Sequence, residues 1–165
     1  MDDKYRIRAA TEGDLDRIGE IIRQGWEPIF ALHEKSWGSE LFRTIYPNWP
    51  DSIKASVARH LAENPDWIFV VESSETGQVI SFIQFLLDRE KGVGIVGLNA
   101  VAAEVQGQGI GTMMYTFVLD RFREEGLKYA QVRTGLSDAQ ASARRAYEKA
   151  GFNIARKEVI YYTYL

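Results

Sequence analysis

Val101-Ala102-Ala103-Glu104-Val105-Gln106-Gly107-Gln108-Gly109-Ile110-Gly111-Thr112 decides how the rest of the chain is read. Upstream, Ile95-Val96-Gly97-Leu98-Asn99-Ala100-Val101 is short, apolar and β-branched, which predicts a buried strand. Downstream, Ile110, Met113, Met114, Phe117, Val118 and Phe122 recur at steps of three and four, which predicts a helix with one core-facing stripe. Gly107, Gly109 and Gly111 therefore fall between a strand and the first turn of a helix. Amides in such a turn have no intrahelical acceptor and sit at the positive end of the helix dipole, so the turn suits an anion. Glycine removes the side chains that would hold a phosphate away from those amides. A steric reason for a glycine-rich turn is the competing reading.

Spacing narrows the choice. The dinucleotide fingerprint is G-x-G-x-x-G in an early βα unit, whereas this chain has G-x-G-x-G past its middle. No Lys-Ser/Thr follows the last glycine, so the nucleoside-triphosphate P-loop does not fit. Gln106-Gly107-Gln108-Gly109-Ile110-Gly111 instead matches Gln/Arg-x-x-Gly-x-Gly/Ala. A second element follows in Asp138-Ala139-Gln140-Ala141-Ser142-Ala143-Arg144-Arg145-Ala146-Tyr147-Glu148-Lys149-Ala150-Gly151-Phe152. Ser137 or Asp138 is its N-cap candidate, alanines favour the helix, and Gly151 is placed to stop it. Gln140, Ala143 and Tyr147 fall at i, i+3 and i+7, on one face.

With these two motifs in this order, the chain resembles the GCN5-related N-acetyltransferase (GNAT) family. The first resembles the loop that holds the acyl-CoA pyrophosphate, and the second resembles a helix ending Tyr-Glu-Lys-x-Gly-Phe. The resemblance implies an α/β fold, a central mixed sheet of about six to seven strands flanked by helices. It implies acetyl-CoA as cosubstrate, held at Gln106, Gly107, Gln108, Gly109, Ile110, Gly111 and Thr112, with Gln140 and Ala143 along the pantetheine arm. It also implies that the strand before the loop splays from the Tyr129–Thr134 strand and frees main-chain groups of Ala100 and Val101. Tyr147 would then lie near the CoA sulfur, where a phenol of pKa about 10 can protonate a thiolate whose thiol has pKa about 8.5. Packing of Tyr147 on the sheet is the structural alternative. Ala103 stands where the family commonly has Pro, and Gln140 where it commonly has Asn.

The acceptor side is less legible. Trp26, Phe30, Trp37, Phe42, Tyr46 and Trp49 crowd into residues 25–50 with Pro28, Pro47 and Pro50. Two readings fit this irregular helical stretch, aromatics packed on the sheet or a wall of the acceptor pocket. On the second, Trp26, Glu27, Phe30 and His33 are candidate acceptor residues. An alkylamine of pKa about 10.4 must also lose a proton before it attacks. Family members often carry a carboxylate on the strand before the loop, where this chain has Asn99, which cannot titrate. Asn99 either orients the amine or is a buried amide satisfied by backbone. Glu27, His33, Glu72, Asp88 and a water chain remain as bases, and spacing does not choose among them. Arg144, Arg145 and Lys149 either reach CoA phosphates or form a solvated helix face, the second being expected for at least two of the three.

The remaining expectations follow from composition and order. With 165 residues the chain is expected to be one domain, 1–165. Twenty basic against 23 acidic residues give a net charge of −3 and no basic stripe, which argues against nucleic acid. There is no cysteine, and His33 and His60 come with no HExxH motif, so neither a thiol nucleophile nor a metal is expected. No apolar signal core and no apolar run of membrane-spanning length occur, which predicts a soluble cytoplasmic protein without a membrane partner. Along the chain we expect a strand at Tyr5–Ala9 and a helix opening at Thr11-Glu12-Gly13-Asp14 with Leu15, Ile18, Ile21 and Ile22 inward. A helix capped by Asp51 and running through Leu61 follows, then strands at Trp67–Glu72 and Val79–Leu87. Last come strands at Phe152–Arg156 and Val159–Tyr164, whose aromatic edge would suit a homodimer. The expected activity is acetyl transfer from acetyl-CoA to a primary amine of a small molecule or peptide. The alternatives are a noncatalytic acyl-CoA sensor and an enzyme using the loop for another phosphate ligand.

Overall fold

The computed structural model describes residues 4–165. Its sheet contains β1 (Tyr5–Ala9), β2 (Ile68–Ser73), β3 (Val79–Asp88), β4 (Val93–Val101) and β5 (Tyr129–Val132), in that spatial order. β1 to β4 pair antiparallel, whereas β4 and β5 run parallel. The helices are α1 (Leu15–Trp37), α2 (Ser39–Ile45), α3 (Trp49–Glu63), α4 (Ile110–Glu124) and α5 (Ala141–Ala150). Parallel pairing needs a crossover, and α4 supplies it between β4 and β5.

Each face of the sheet buries its own core. On one face Ile18, Ile21 and Ile22 of α1 and Val57 and Leu61 of α3 meet Ile68, Val70 and Phe82. On the other, Met114, Tyr115, Val118 and Phe122 of α4 meet Val71, Ile83, Phe85 and Val96. β3 is therefore apolar nearly throughout instead of alternating, as a strand covered on both faces must be. At β4 the fit of helix to sheet is close. A Cβ on Gly94 would stand 2.4 Å from the Phe122 ring, so only glycine lets α4 settle there.

β4 and β5 keep company only briefly. The ladder joins Val93–Val96 to Tyr129–Val132 and then stops, while β4 continues through Gly97–Val101 with no β5 partner. At the parting point β4 carries an extra residue against β3, with Gly97 and Leu98 opposite the single Gln84 between the Ile83–Asn99 and Phe85–Val96 pairs. Such bulges bend a strand, and this one turns β4 away from β5 where the gap opens.

The expected order is observed up to α5, with four corrections. The sheet has five strands among the described residues, because residues 152–165 form no strand. Ile154, Val159, Ile160, Tyr161 and Tyr164 are exposed there, and Tyr162 rests its ring 5.5 Å from that of Trp37. β-Branched and aromatic composition suits a strand without making one, and 152–165 pairs with no edge of the sheet, the free edge of β5 included. Second, α3 starts at Trp49 behind Asn48, whose φ is +47°, rather than at Asp51. Pro50 falls in its first turn, where a missing N–H costs nothing. Third, β5 ends at Val132 instead of Thr134. Fourth, α1 runs unbroken through Pro28 to Trp37 where irregular structure was expected. Burial of Phe30 beyond the proline holds the helix together.

Candidate functional site

The gap between β4 and β5 opens into a cleft of about 650 Å³ lined from both faces of the sheet. From the α4 face come Gln106, Gly107, Gly109, Ile110, Gly111 and Thr112, and from α5 and its approach Gln140, Ala143, Arg145, Tyr147 and Lys149. From the α1 face come Gln24, Gly25, Trp26, Pro28 and Ile29, with Leu98 and Ala100 of β4. Among the described residues, no carboxylate and no imidazole lines this cleft. Its charged side chains are Arg133, Arg145 and Lys149.

Main-chain geometry equips the loop for an anion. Gly107 and Gly109 have φ of +80° and +85°, a left-handed backbone that residues with a Cβ rarely adopt. Gly109 is the N-cap of α4, and the first amide bonded back into the turn is that of Met113, to the Gly109 carbonyl. Among the described residues, no protein acceptor takes the amides of residues 107–112. Unpaired amides at a helix N-terminus present partial positive charge to the cleft.

The splayed strand supplies a second set of main-chain groups. Ala102 donates its amide to the Ile80 carbonyl on β3. By the alternation of an antiparallel ladder, Ala100 then also faces β3, while Asn99 and Val101 turn their amides and carbonyls toward the gap. The expected freed pair of Ala100 and Val101 is thus corrected to Asn99 and Val101. Gln106 Nε2 donates to the Val101 carbonyl at 3.3 Å and ties the loop to the strand.

Two phenols stand at the centre. The rings of Tyr115 and Tyr147 lie 4.6 Å apart, and both residues are buried. Tyr115 donates its hydroxyl to Asn99 Oδ1 at 2.7 Å, and Asn99 Nδ2 donates to the Gly97 carbonyl at 2.9 Å. Burial foremost, and then the neighbouring Tyr147, push the Tyr115 pKa far above that of an ordinary phenol, so Tyr115 stays neutral. α5 orients Tyr147 through a loop that Arg144 ties down by donating to the carbonyls of Gly135 and Ser137. Ser137 Oγ donates to Gln140 Oε1 at 3.1 Å.

Other predicted residues lie elsewhere. Gln108 does not line the cleft, and its Oε1 accepts from the Tyr5 hydroxyl at 2.6 Å. Glu27, Phe30 and His33 also lie outside the lining. Phe30 is buried among Phe42, Tyr46 and Trp49, and His33 stacks on Trp37 with ring centroids 4.5 Å apart. His33 Nδ1 is buried without a partner, and burial lowers the pKa of the ring. Glu72 pairs with Arg6 and Arg8 on β1, and Asp88 pairs with Lys91 in a hairpin. None of the four side-chain bases considered from sequence is in the cleft. Trp26 and Asn99 are, on its two sides.

A family model described as Acetyltransferase (GNAT) family matches residues 26–152. The chain belongs to the GNAT acetyltransferase family. Solved GNAT structures share its fold at low identity. A PaiA N-acetyltransferase from Thermoplasma acidophilum in complex with coenzyme A is 15% identical with a TM-score of 0.69, covering 93% of this chain and 92% of that one. A GNAT family acetyltransferase from Brucella melitensis in complex with acetyl-CoA is 22% identical with a TM-score of 0.59, covering 91% and 83%. The ribosomal-protein-S18-alanine N-acetyltransferase from Escherichia coli is 18% identical with a TM-score of 0.63, covering 92% and 79%. No curated protein matches the chain by sequence.

Within this GNAT cleft, sequence reasoning missed Tyr115, Gln24, Pro28 and Arg133. Tyr115 had a visible signal, since it adjoins the stripe residue Met114 on an otherwise apolar helix face. Gln24 and Arg133 had none, because nothing local says which strand and helix ends converge. No helix among the described residues is long and apolar enough to cross a membrane.

Proposed function

We propose that the chain is an N-acetyltransferase that moves the acetyl group of acetyl-CoA to a primary amine of a small molecule or peptide, with 1–165 acting as one domain. The observation that carries this reading is the run of unpaired amides at 107–112, opening on a cleft that passes through the sheet beside Tyr147. Those amides suit the pyrophosphate of the cosubstrate, with Arg145 and Lys149 on the rim for further phosphate charge. Amine attack forms a C–N bond and breaks the C–S bond, so the amine sheds a proton and the sulfur takes one. The Val101 or Asn99 amide is directed to hold the carbonyl oxygen, a kind of donor worth about 2.7–4 kcal/mol where one has been removed. Tyr147 gives the thiolate its proton. Tyr115, held neutral, fixes Asn99 and the strand beside the reacting carbonyl. With no carboxylate or imidazole in the lining, the amine's proton leaves through water.

That same missing base favours a second reading, a noncatalytic acyl-CoA sensor. Thermal shift separates binding from turnover, because a ligand raises the melting temperature only by preferring the native state. Acetyl-CoA is expected to raise it, with ATP and NAD giving little change, and no shift at high excess overturns both readings. Release of free CoA with an amine panel selects the enzyme over the sensor. A homodimer through the exposed aromatic segment 152–165 is the oligomeric reading, and solution mass by light scattering tests it.

A further inference from the structure

Beside the main cleft, on the α3 face of β4, lies a second cavity of about 390 Å³. Its walls are Ile45, Tyr46, Pro47, Trp49, Ile53 and Leu98, with Ser52 and Ser56 at its edge. Leu98 lines both cavities, so the two meet at β4 where the strand has left β5. The polar inventory is short. Ser52 already donates to the Pro47 carbonyl at 2.8 Å, and no charged side chain lines this cavity. The adjoining wall from α1, formed by Gln24, Gly25, Trp26, Pro28 and Ile29, carries no charge either. Gln24 Oε1 is occupied by the Ala103 amide at 3.1 Å. Pro28 has no N–H, so the Gln24 carbonyl lacks its usual i+4 donor at the border of the cleft.

We infer that the acceptor is a primary amine carrying an uncharged aromatic body, which seats between Tyr46 and Trp49 while its nitrogen lies in the main cleft near the Gln24 carbonyl. The inference rests on the acetyltransferase reading and adds the substrate class. A polyamine or an aminoglycoside brings several cations, and a cation moved from water to an uncharged apolar wall loses hydration without gaining a partner. A free carboxylate on the acceptor meets the same obstacle, since the basic side chains of the lining, Arg133, Arg145 and Lys149, come from β5's end and α5. An aryl group instead gains apolar burial and ring contacts, and the cavity is in the usual size range for such a site.

The test uses tryptamine, phenylalaninamide, spermidine and kanamycin with the full chain and acetyl-CoA. Free CoA release should give tryptamine and phenylalaninamide a kcat/KM at least about tenfold above the two polycations. Calorimetry on the CoA-loaded protein should show tryptamine binding and no heat from spermidine. Ser56→Trp, at an exposed position on the cavity edge, should lower kcat/KM for tryptamine about tenfold while the acetyl-CoA thermal shift stays as in the parent. Spermidine or kanamycin turned over as well as tryptamine overturns the assignment of the cavity, as does tryptamine that fails to bind. Neither result touches the acetyltransferase reading, which falls if acetyl-CoA itself gives no shift or if no amine of a wider panel releases free CoA.

Discussion

The two halves of the cleft are built from different materials. On the α4 and α5 side the groups on offer are amides of residues 107–112, glycines with positive φ, two phenols and basic side chains. On the α1 to α3 side they are indole, phenol, proline and leucine surfaces without charge. The first half recognises through the main chain, so it needs particular residues at fixed spacing and accepts a ligand common to a whole family. The second recognises through side-chain shape, which any set of residues converging from separate helices can supply. On the proposed function, family membership is written in one half and individual substrate choice in the other.

The largest effect should come from the point where the halves meet. Tyr147→Phe is expected to lower kcat by about 10²–10⁴-fold while acetyl-CoA affinity stays within about twofold, measured by CoA release and calorimetry. An unchanged kcat would mean that the phenol belongs to neither half. Next, Gly109→Val forces a β-branched residue into φ +85°, a strain of about 1–3 kcal/mol, so acetyl-CoA should bind about tenfold or more weakly. Equal affinity would show that the loop is not the gripping element.

A third prediction concerns the aromatic half alone. His33 is buried with its pKa lowered, so below about pH 6.5 the unfolded chain takes up a proton that the folded chain resists. Stability should therefore fall as pH drops from 7.5 to 5, with His33 contributing at most about 1.4 kcal/mol per pH unit, as read from urea midpoints. His33→Phe should flatten that slope, and a slope left intact would assign it to His60, whose pKa burial also lowers. The smallest effect is expected from Arg145→Ala, an exposed cation on the rim. CoA affinity should fall by about 0.2–1 kcal/mol, and the difference should vanish in high salt.

What could be read from the sequence divides along the same line. The stripe Ile110 to Phe122 fixed α4, Gly151 stopped α5 at φ +109°, and the glycine loop lay between strand and helix as its spacing required. These are local signals, each carried within about four helical turns or fewer. The parting of β4 from β5 coincides with a bulge in β4 at Gly97 and Leu98, where the in-strand Gly97 is the one local mark and the direction of the bend is not marked at all. Phe30 and His33 looked like pocket residues because they are aromatic, yet their contacts are with α1, α2 and α3 aromatics instead of the cleft. The tail at 152–165 has a strand-like composition without a strand, since pairing is a property of two segments and composition of one.

The parting of β4 and β5 also bears on kinetic order. Because the cleft is lined from both faces, the proposed seats of the nucleotide beside α4 and of the amine beside α1 do not stand in each other's way. Neither has to withdraw before its counterpart arrives, and a chain without cysteine holds no thiol to store the acetyl group between visits. Initial-rate lines should accordingly intersect instead of running parallel, with either product free to depart first.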